Sequence, residues 1–106
     1  MSSDFRVKFN ISGDIATFSL QGRFDFSQYA LFKEEQARAL DKAEVKHIVL
    51  DFGGLDYLDS AALGILLVLL DKAKEQNQTV TIKRAKGVVR EILQVAHFER
   101  MFKIED

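Results

Sequence analysis

Hydrophobic and polar residues alternate along the beginning of the chain. From Phe5 to Ile11, apolar side chains occupy one side of the segment and polar side chains occupy the other. The same alternation runs from Ile15 to Gln21, after a Gly13-Asp14 pair that is typical of a turn. A period of two predicts half-buried strands, and the short link between them predicts an antiparallel pair.

The remainder of the chain alternates between helical and strand patterns. The apolar, β-branched run His47–Phe52 is typical of a central parallel strand, and we expect Gly53-Gly54 to end it. A second short strand is predicted over Thr79–Lys83. Helices are predicted over three segments: Tyr29–Ala43, Ser60–Gln76 and Val88–Ala96. Ser27 is a plausible N-cap of the first helix, and apolar residues from Phe98 to Ile104 are expected to pack the tail against the core. This order of elements indicates a compact α/β layer built on a mixed sheet.

Composition narrows the classes of partner. The 106 residues include 15 basic and 16 acidic side chains, a balance that argues against electrostatic binding to nucleic acid or to an anionic membrane. The chain has no cysteine, which excludes disulfides and thiolate chemistry and fits a cytoplasmic location. The first residues do not resemble a signal peptide, and the longest apolar run, Ala61–Leu70, is about half of the roughly 20 residues that a membrane-spanning helix needs.

The segment Asp56–Gly64 carries the most informative pattern. It is interpreted as a loop that enters the second helix, with either Asp59 or Ser60 as the cap. In both cases Ser60 lies at the positive end of the helix dipole, among backbone N–H groups without helical partners, where a phosphate would be well placed. A purely structural cap is the plainer interpretation of the same residue.

The faces of the second helix differ in character. At about 100° per residue, one stripe is expected to face the sheet: Ala62, Ile65, Leu66, Leu69 and Ala73. The opposite stripe is expected to face solvent: Ser60, Gly64, Leu67, Asp71 and Lys74. Leu63 lies on the flank. Exposed apolar surface beside a modifiable serine suggests a protein partner.

Several runs together resemble the STAS domain family. The strand Ile48–Phe52, the segment Leu55–Ser60 and Leu63-Gly64 are similar to the family's hydrophobic strand, short loop and Asp-Ser motif that opens a helix. Gly22–Asp25 resembles the segment that precedes the family's first helix, and Val88–Ile104 resembles its closing helix and tail. The resemblance implies a single STAS-like domain over residues 1–106, with a mixed four- to five-stranded sheet and helices packed mainly on one face.

The resemblance also implies a function without catalysis. Stand-alone members of the family act as anti-sigma factor antagonists in partner switching: the unphosphorylated form binds an anti-sigma factor or switch kinase, and phosphorylation of the serine, here Ser60, releases it. A PPM-type serine phosphatase would remove the phosphate. The expected partner-binding residues are Asp25, Asp56, Asp59, Ser60, Leu63, Gly64, Leu67 and Asp71. Neither a cofactor nor a metal is expected, and a monomer is the default. Two departures from the family pattern stand out: Ala61-Ala62 stand where many members have Ser or Thr and then Gly, and His97 stands where many have Gly.

Three alternatives compete with this hypothesis. A receiver domain would use Asp51 as phosphoacceptor, but the first strand lacks the acidic pair that would hold magnesium. An enzyme would need a carboxylate pair, for which the candidates are Asp25, Asp51, Asp56 and Asp59. Carboxylates at strand ends and in loops are more typical of caps or solvated groups, and His47 and His97 have no metal-ligand spacing. The third alternative keeps the fold: a constitutive STAS adaptor subunit of an ABC (lipid) transporter.

Overall fold

The computed structural model describes residues 5–106. Its strands are β1 (Arg6–Ser12), β2 (Ile15–Phe24), β3 (His47–Leu58), β4 (Thr79–Lys83) and β5 (Lys103–Glu105). Its helices are α1 (Tyr29–Leu40), α2 (Ser60–Glu75) and α3 (Gly87–Val95), and 3₁₀ turns occupy Phe26–Gln28 and Phe98–Arg100. Among residues 5–106, no helix has the length and apolar character to cross a bilayer.

The five strands form one mixed sheet in the order β1-β2-β3-β4-β5. Strands β1 and β2 are antiparallel, as predicted, and every other neighbouring pair is parallel. The fifth strand comes from the tail, where Ile104 pairs with Ile82. The predicted α/β class and mixed sheet are therefore confirmed, with the sheet at the upper end of the predicted size.

One face of the sheet meets the helices and the other does not. The inward residues Phe18, Leu50 and Ile82 are fully buried in a single hydrophobic core with side chains from all three helices. Their sequence neighbours Ser19 and Lys83 lie on the opposite face and are not buried, because successive side chains of a strand point to opposite faces. This arrangement agrees with helices packed on one face.

The prediction that Gly53-Gly54 ends the third strand was wrong. Strand β3 continues through both glycines to Leu58, so Asp56 lies in a strand and not in a loop. A Cβ atom on Gly53 would lie 2.6 Å from the Arg84 Cζ, and one on Gly54 would lie 2.7 Å from the Gln21 Cγ. The glycines therefore allow neighbouring side chains to approach the strand closely, a use of glycine within strands that resembles a turn signal in sequence.

The boundaries of the first helix also differ from the prediction. Ser27 does not cap α1, which begins at Tyr29 after a 3₁₀ turn that the Asp25 side chain caps. The helix ends at Leu40, three residues before the predicted end at Ala43. Its last turn meets the buried Gln78, whose Nε2 donates to the Val45 carbonyl at 3.1 Å and holds the following loop against the core.

Candidate functional site

Asp59 caps helix α2, which resolves the choice between Asp59 and Ser60. Its backbone is extended, and its Oδ1 accepts a hydrogen bond from the Ala62 N–H at 2.8 Å. Its own N–H donates to the Phe24 carbonyl at 3.2 Å. The start of α2 is thereby tied to the end of β2.

This leaves Ser60 without a capping task. It is the first residue of α2, its side chain is exposed, and its hydroxyl makes no hydrogen bond within residues 5–106. The N–H groups of the first helical turn lack intrahelical acceptors and carry the positive end of the helix dipole. A negative group on Ser60 would therefore lie in a favourable local field.

The predicted faces of α2 are confirmed. The stripe predicted to face the sheet is buried throughout: Ala62, Ile65, Leu66, Leu69 and Ala73. On the opposite stripe Ser60, Gly64 and Asp71 are exposed, while Leu67 is half-buried. Leu63 is also half-buried, on the flank nearest to Ser60.

Gly64 has no structural requirement for glycine. It lies inside α2, it does not have a positive φ, and a Cβ atom placed on it would meet no atom within 4 Å. Glycine inside a helix costs about 0.5–1 kcal/mol relative to alanine. The residue leaves a flat area next to Ser60 at the expense of helix stability.

Asp25 lies next to this site, but it is engaged within its own loop. Its carboxylate accepts hydrogen bonds from the Ser27 hydroxyl and from the Ser27 N–H, and Arg23 approaches it at 3.5 Å. The hydroxyl of Ser27 is the main cause that lowers the pKa of Asp25, opposed by desolvation and aided by the Ser27 N–H and by Arg23. The hydrogen bond between Asp59 and Phe24 holds this loop beside the start of α2.

The other predicted residues are less concentrated. Asp56 is exposed on β3 and does not line the cavity that contains Ser60. Asp71 is 11 residues along α2 from Ser60, which places it about 16 Å away along the helix axis. The structure thus brings Asp25, Asp59, Ser60 and Leu63 together and spreads the remaining residues over a longer surface.

A groove between α2 and α3 was missed in the sequence. Its volume is about 390 Å³ and its walls come from the end of β3, the first turn of α2 and one side of α3. Residues at its lining include Ser60 and Leu63 on one wall and Val88, Ile92 and Val95 on the other. The available signal was the width of the apolar face of α3, which is greater than a helix of nine residues needs for one core contact.

Asp51 has a structural environment that differs from a phosphoacceptor's. Its two carboxylate oxygens accept hydrogen bonds from Arg84 Nε and Nη2, both at 2.9 Å, and Oδ1 also accepts from the Gly53 N–H. Partial burial raises the pKa of Asp51, but these hydrogen bonds and the charges of Arg84 and Lys83 together outweigh it, so the net pKa is lowered. The expected bond to local backbone is present, although Asp51 lies within β3 and not at its end.

The two histidines lie outside the site. His47 shares a 2.7 Å hydrogen bond with Thr79, and His97 follows α3 with a left-handed backbone, φ 59°. Glycine adopts this conformation at least cost, so the backbone at His97 favours glycine over the histidine that is present. In residues 5–106, no group of three or more potential metal-ligating side chains is arranged to hold an ion.

Comparison with known proteins agrees with this architecture. The chain is 37% identical over 92 residues to a STAS-domain containing protein of Pseudomonas aeruginosa, an alignment that covers 87% of this chain and 89% of the relative. An anti-sigma factor antagonist from Mycobacterium paratuberculosis has a TM-score of 0.85 at 15% identity, covering 99% of this chain and 90% of its own.

The Bacillus cell fate determinant SpoIIAA shares the fold in two states. Its phosphorylated form has a TM-score of 0.71 at 15% identity and covers 95% of this chain and 90% of its own. Its unphosphorylated form has a TM-score of 0.74 at 16% identity, with coverage of 97% and 88%. At these identities the likeness establishes the fold, and residues 6–106 match the STAS domain family itself. The chain therefore belongs to the STAS domain family, and its fold is the one found in anti-sigma factor antagonists.

Proposed function

We propose that this protein is an anti-sigma factor antagonist that acts in a phosphorylation-controlled partner switch. The unphosphorylated form binds an anti-sigma factor or switch kinase, and phosphorylation of Ser60 releases it. The protein itself catalyses no reaction, and a PPM-type serine phosphatase restores the binding form. It works in the cytoplasm as a monomer, without nucleic acid.

The observation that carries this proposal is the division of tasks at the start of α2. Asp59 supplies the cap, so the exposed Ser60 hydroxyl is left free at the positive end of a helix dipole and on the edge of an apolar groove. A structural cap no longer accounts for Ser60. The flat area that Gly64 creates, at a cost to the helix, is a second feature that packing does not explain.

Phosphate chemistry favours release of a partner more than a change of fold. A phosphoserine adds about −1.5 to −2 charges at neutral pH, next to the carboxylate of Asp59. The N–H groups at the helix start accommodate this charge, whereas a partner surface packed against Ser60 would have to desolvate it or oppose it with like charge. A loss of about 1.4 kcal/mol lowers the affinity tenfold, so a modest repulsion is sufficient.

The structures of SpoIIAA support a switch that leaves the fold in place. Its phosphorylated and unphosphorylated forms resemble this chain with TM-scores of 0.71 and 0.74, so both states of that protein keep this fold. We infer that a phosphate on Ser60 acts on the bound partner and leaves the sheet and helices in place.

The test compares charge at Ser60 with charge elsewhere. Wild-type protein, Ser60→Ala and Ser60→Asp are used to recover partners from lysate of the native host, which are then identified by mass spectrometry and titrated individually. Ser12→Asp is the matched control, because the exposed Ser12 pairs with Ile15 beside the start of β3, whereas Ser60 follows the end of that strand.

Recovery of a kinase-like or anti-sigma-like protein with wild type, Ser60→Ala and Ser12→Asp, but not with Ser60→Asp, is the expected result. Equal affinity of that protein for Ser60→Ala and Ser60→Asp would contradict the switch. A transporter ATPase held equally by all variants would establish the constitutive adaptor in its place.

A further inference from the structure

Helix α3 carries two adjacent stripes of apolar side chains, and the fold fully buries only one of them. Val89 and Leu93 are each 1% exposed and lie in the core, whereas Val88 is 46% and Val95 is 80% exposed. A surface helix needs only one apolar stripe to pack against its domain. The second stripe is left uncovered in the part of the chain that the structure describes.

The second stripe and Ser60 face the same cavity. Val88, Ile92 and Val95 form one wall of the groove of about 390 Å³, and Ser60 and Leu63 contribute to the other. A segment that filled the groove would therefore contact the exposed valines and the Ser60 hydroxyl together. The valines are part of the surface that a modification of Ser60 would change.

The charged side chains that line this groove are acidic. Within residues 5–106, its only charged lining residues are Asp59 and Glu91. Two neighbouring cations do not line the groove and are each near a carboxylate: Arg23 lies over the ring of the lining residue Tyr57 and 3.5 Å from Asp25, and Arg90 lies 3.4 Å from Asp106. An apolar surface with an acidic rim is complementary to an apolar segment that carries a basic residue.

We propose that the groove binds one segment of the partner, an amphipathic helix whose aliphatic side chains fill the groove and whose lysine or arginine faces Glu91. The inference that the partner binds at this groove rests on the proposed function. The chemistry of the segment follows from the groove itself. Helices that place an apolar face into a groove are a common mode of recognition.

A phosphate on Ser60 would attract a basic segment, as the acidic rim does, and this attraction would oppose release of the partner. An exposed ion pair changes affinity by up to about fivefold. Covering the phosphate with aliphatic side chains removes it from water, and this desolvation costs several kcal/mol, which corresponds to more than about a hundredfold in affinity. Desolvation therefore dominates at Ser60, and the segment dissociates in spite of its positive charge.

Site-specific photo-crosslinking in the native host tests the location and the chemistry together. The probe is p-benzoylphenylalanine in place of Val95, whose high exposure makes the exchange compatible with folding. The control carries the same group in place of Met101, which is 42% exposed and lies beside a cavity near His47, away from Ser60. Mass spectrometry then gives the sequence of the crosslinked peptide.

The expected result is an adduct at position 95, and not at 101, with a peptide that has aliphatic residues at helical spacing and a lysine or arginine beside them. Glu91→Lys is expected to lower its yield about fivefold, and Glu34→Lys on the exposed face of α1 is expected to leave it unchanged. No adduct at 95, an acidic peptide, or an unchanged yield with Glu91→Lys would overturn the proposal.

Adding Ser60→Asp separates this inference from the proposed function. An adduct at 95 with a basic amphipathic peptide that persists with Ser60→Asp would support the groove and contradict the switch. Loss of partner binding with Ser60→Asp, together with no adduct at 95 in the unmodified protein, would support the switch and contradict the groove.

Discussion

At the scale of single residues, Gly64 and His97 are two positions where the amino acid present disagrees with local stability, and Asn77 and Arg84 share the left-handed backbone of His97. Gly64 lies in a helix that has room for a side chain, and His97 has a left-handed backbone that favours glycine. Such disagreements arise where function, and not stability, constrains a position, or where the stability cost is small enough to be tolerated.

Gly64→Ala separates stability from binding. The added methyl group meets no atom within 4 Å, so we expect the free energy of unfolding to rise by about 0.5–1 kcal/mol. The same methyl group would protrude from the flat area beside Ser60, so the affinity for the partner is expected to fall. Urea unfolding and a binding titration measure the two effects. A variant that is more stable and binds equally well would remove Gly64 from the proposed interface.

His97→Gly is expected to stabilise the protein. A residue with a Cβ atom in the left-handed region costs about 1 kcal/mol, which glycine avoids, although glycine also increases the entropy of the unfolded chain. We expect a net gain of up to about 1 kcal/mol in urea unfolding, without a change in partner binding, because His97 does not line the groove. A loss of stability would show that the 3.6 Å contact with Glu99 contributes more than the backbone costs.

At the scale of elements, the strand and helix faces were predictable and their ends were less so. The buried stripe of α2 followed from helical periodicity alone, since each turn repeats the same environment. The end of β3 did not, because the Gly53-Gly54 pair serves close approach by Arg84 and Gln21, contacts that a single sequence does not display. The groove beside α3 could not be predicted for the same reason, because it forms where α2 and α3, which are distant in sequence, meet.

The cap of α2 has a measurable value. Asp59→Ala removes the acceptor of the Ala62 N–H and is expected to lower the free energy of unfolding by about 1 kcal/mol. Asp59→Asn keeps a side-chain oxygen in place and should retain most of that stability. If both variants were as stable as wild type by chemical denaturation, Asp59 would not be the effective cap.

The ion pair that joins β3 to the end of β4 predicts a pH dependence. Because the folded-state pKa of Asp51 is lowered from 3.8, the stability that the carboxylate contributes is present above that value and is lost as the pH falls through the folded pKa. Asp51→Asn should therefore lower the free energy of unfolding at pH 7 by at most about 1 kcal/mol, because Arg84 is largely exposed.

Denaturation of wild type and Asp51→Asn over a range of about pH 2.5 to 7 checks this expectation, because the carboxylate becomes protonated within that range. The difference between the two proteins should shrink below about pH 4. A constant difference at all pH values would mean that the cost of the substitution comes from packing and not from charge.

At the scale of the whole molecule, the surface proposed for regulation, Ser60 and the groove, is separate from the core. All three helices cover one face of the sheet, while Ser60 and the groove lie at the exposed start of α2. Few core contacts therefore depend on Ser60. The family and the fold could be recognised from the order of elements and from the Asp59-Ser60 motif. Both are local patterns in the sequence that do not depend on tertiary contacts.

Ser60→Asp is accordingly expected to leave the fold intact. A negative charge at a helix start contributes about 0.3–1 kcal/mol when exposed, and repulsion from Asp59 offsets part of it. We expect the free energy of unfolding to change by less than about 1 kcal/mol, with an unchanged circular dichroism spectrum. A large loss of stability would mean that the variant releases its partner by unfolding.

The cap at Asp59 and the free hydroxyl at Ser60 also bear on how such proteins diverge. Because the helix start is secured by one residue and the proposed control is exerted by its neighbour, a lineage that replaced Ser60 would keep its fold and its docking surface. A regulated antagonist would thereby become a permanent adaptor through a single exchange, without passing through an unstable intermediate. The reverse change would be equally accessible, so the regulated and the permanent mode of binding are separated by a single substitution.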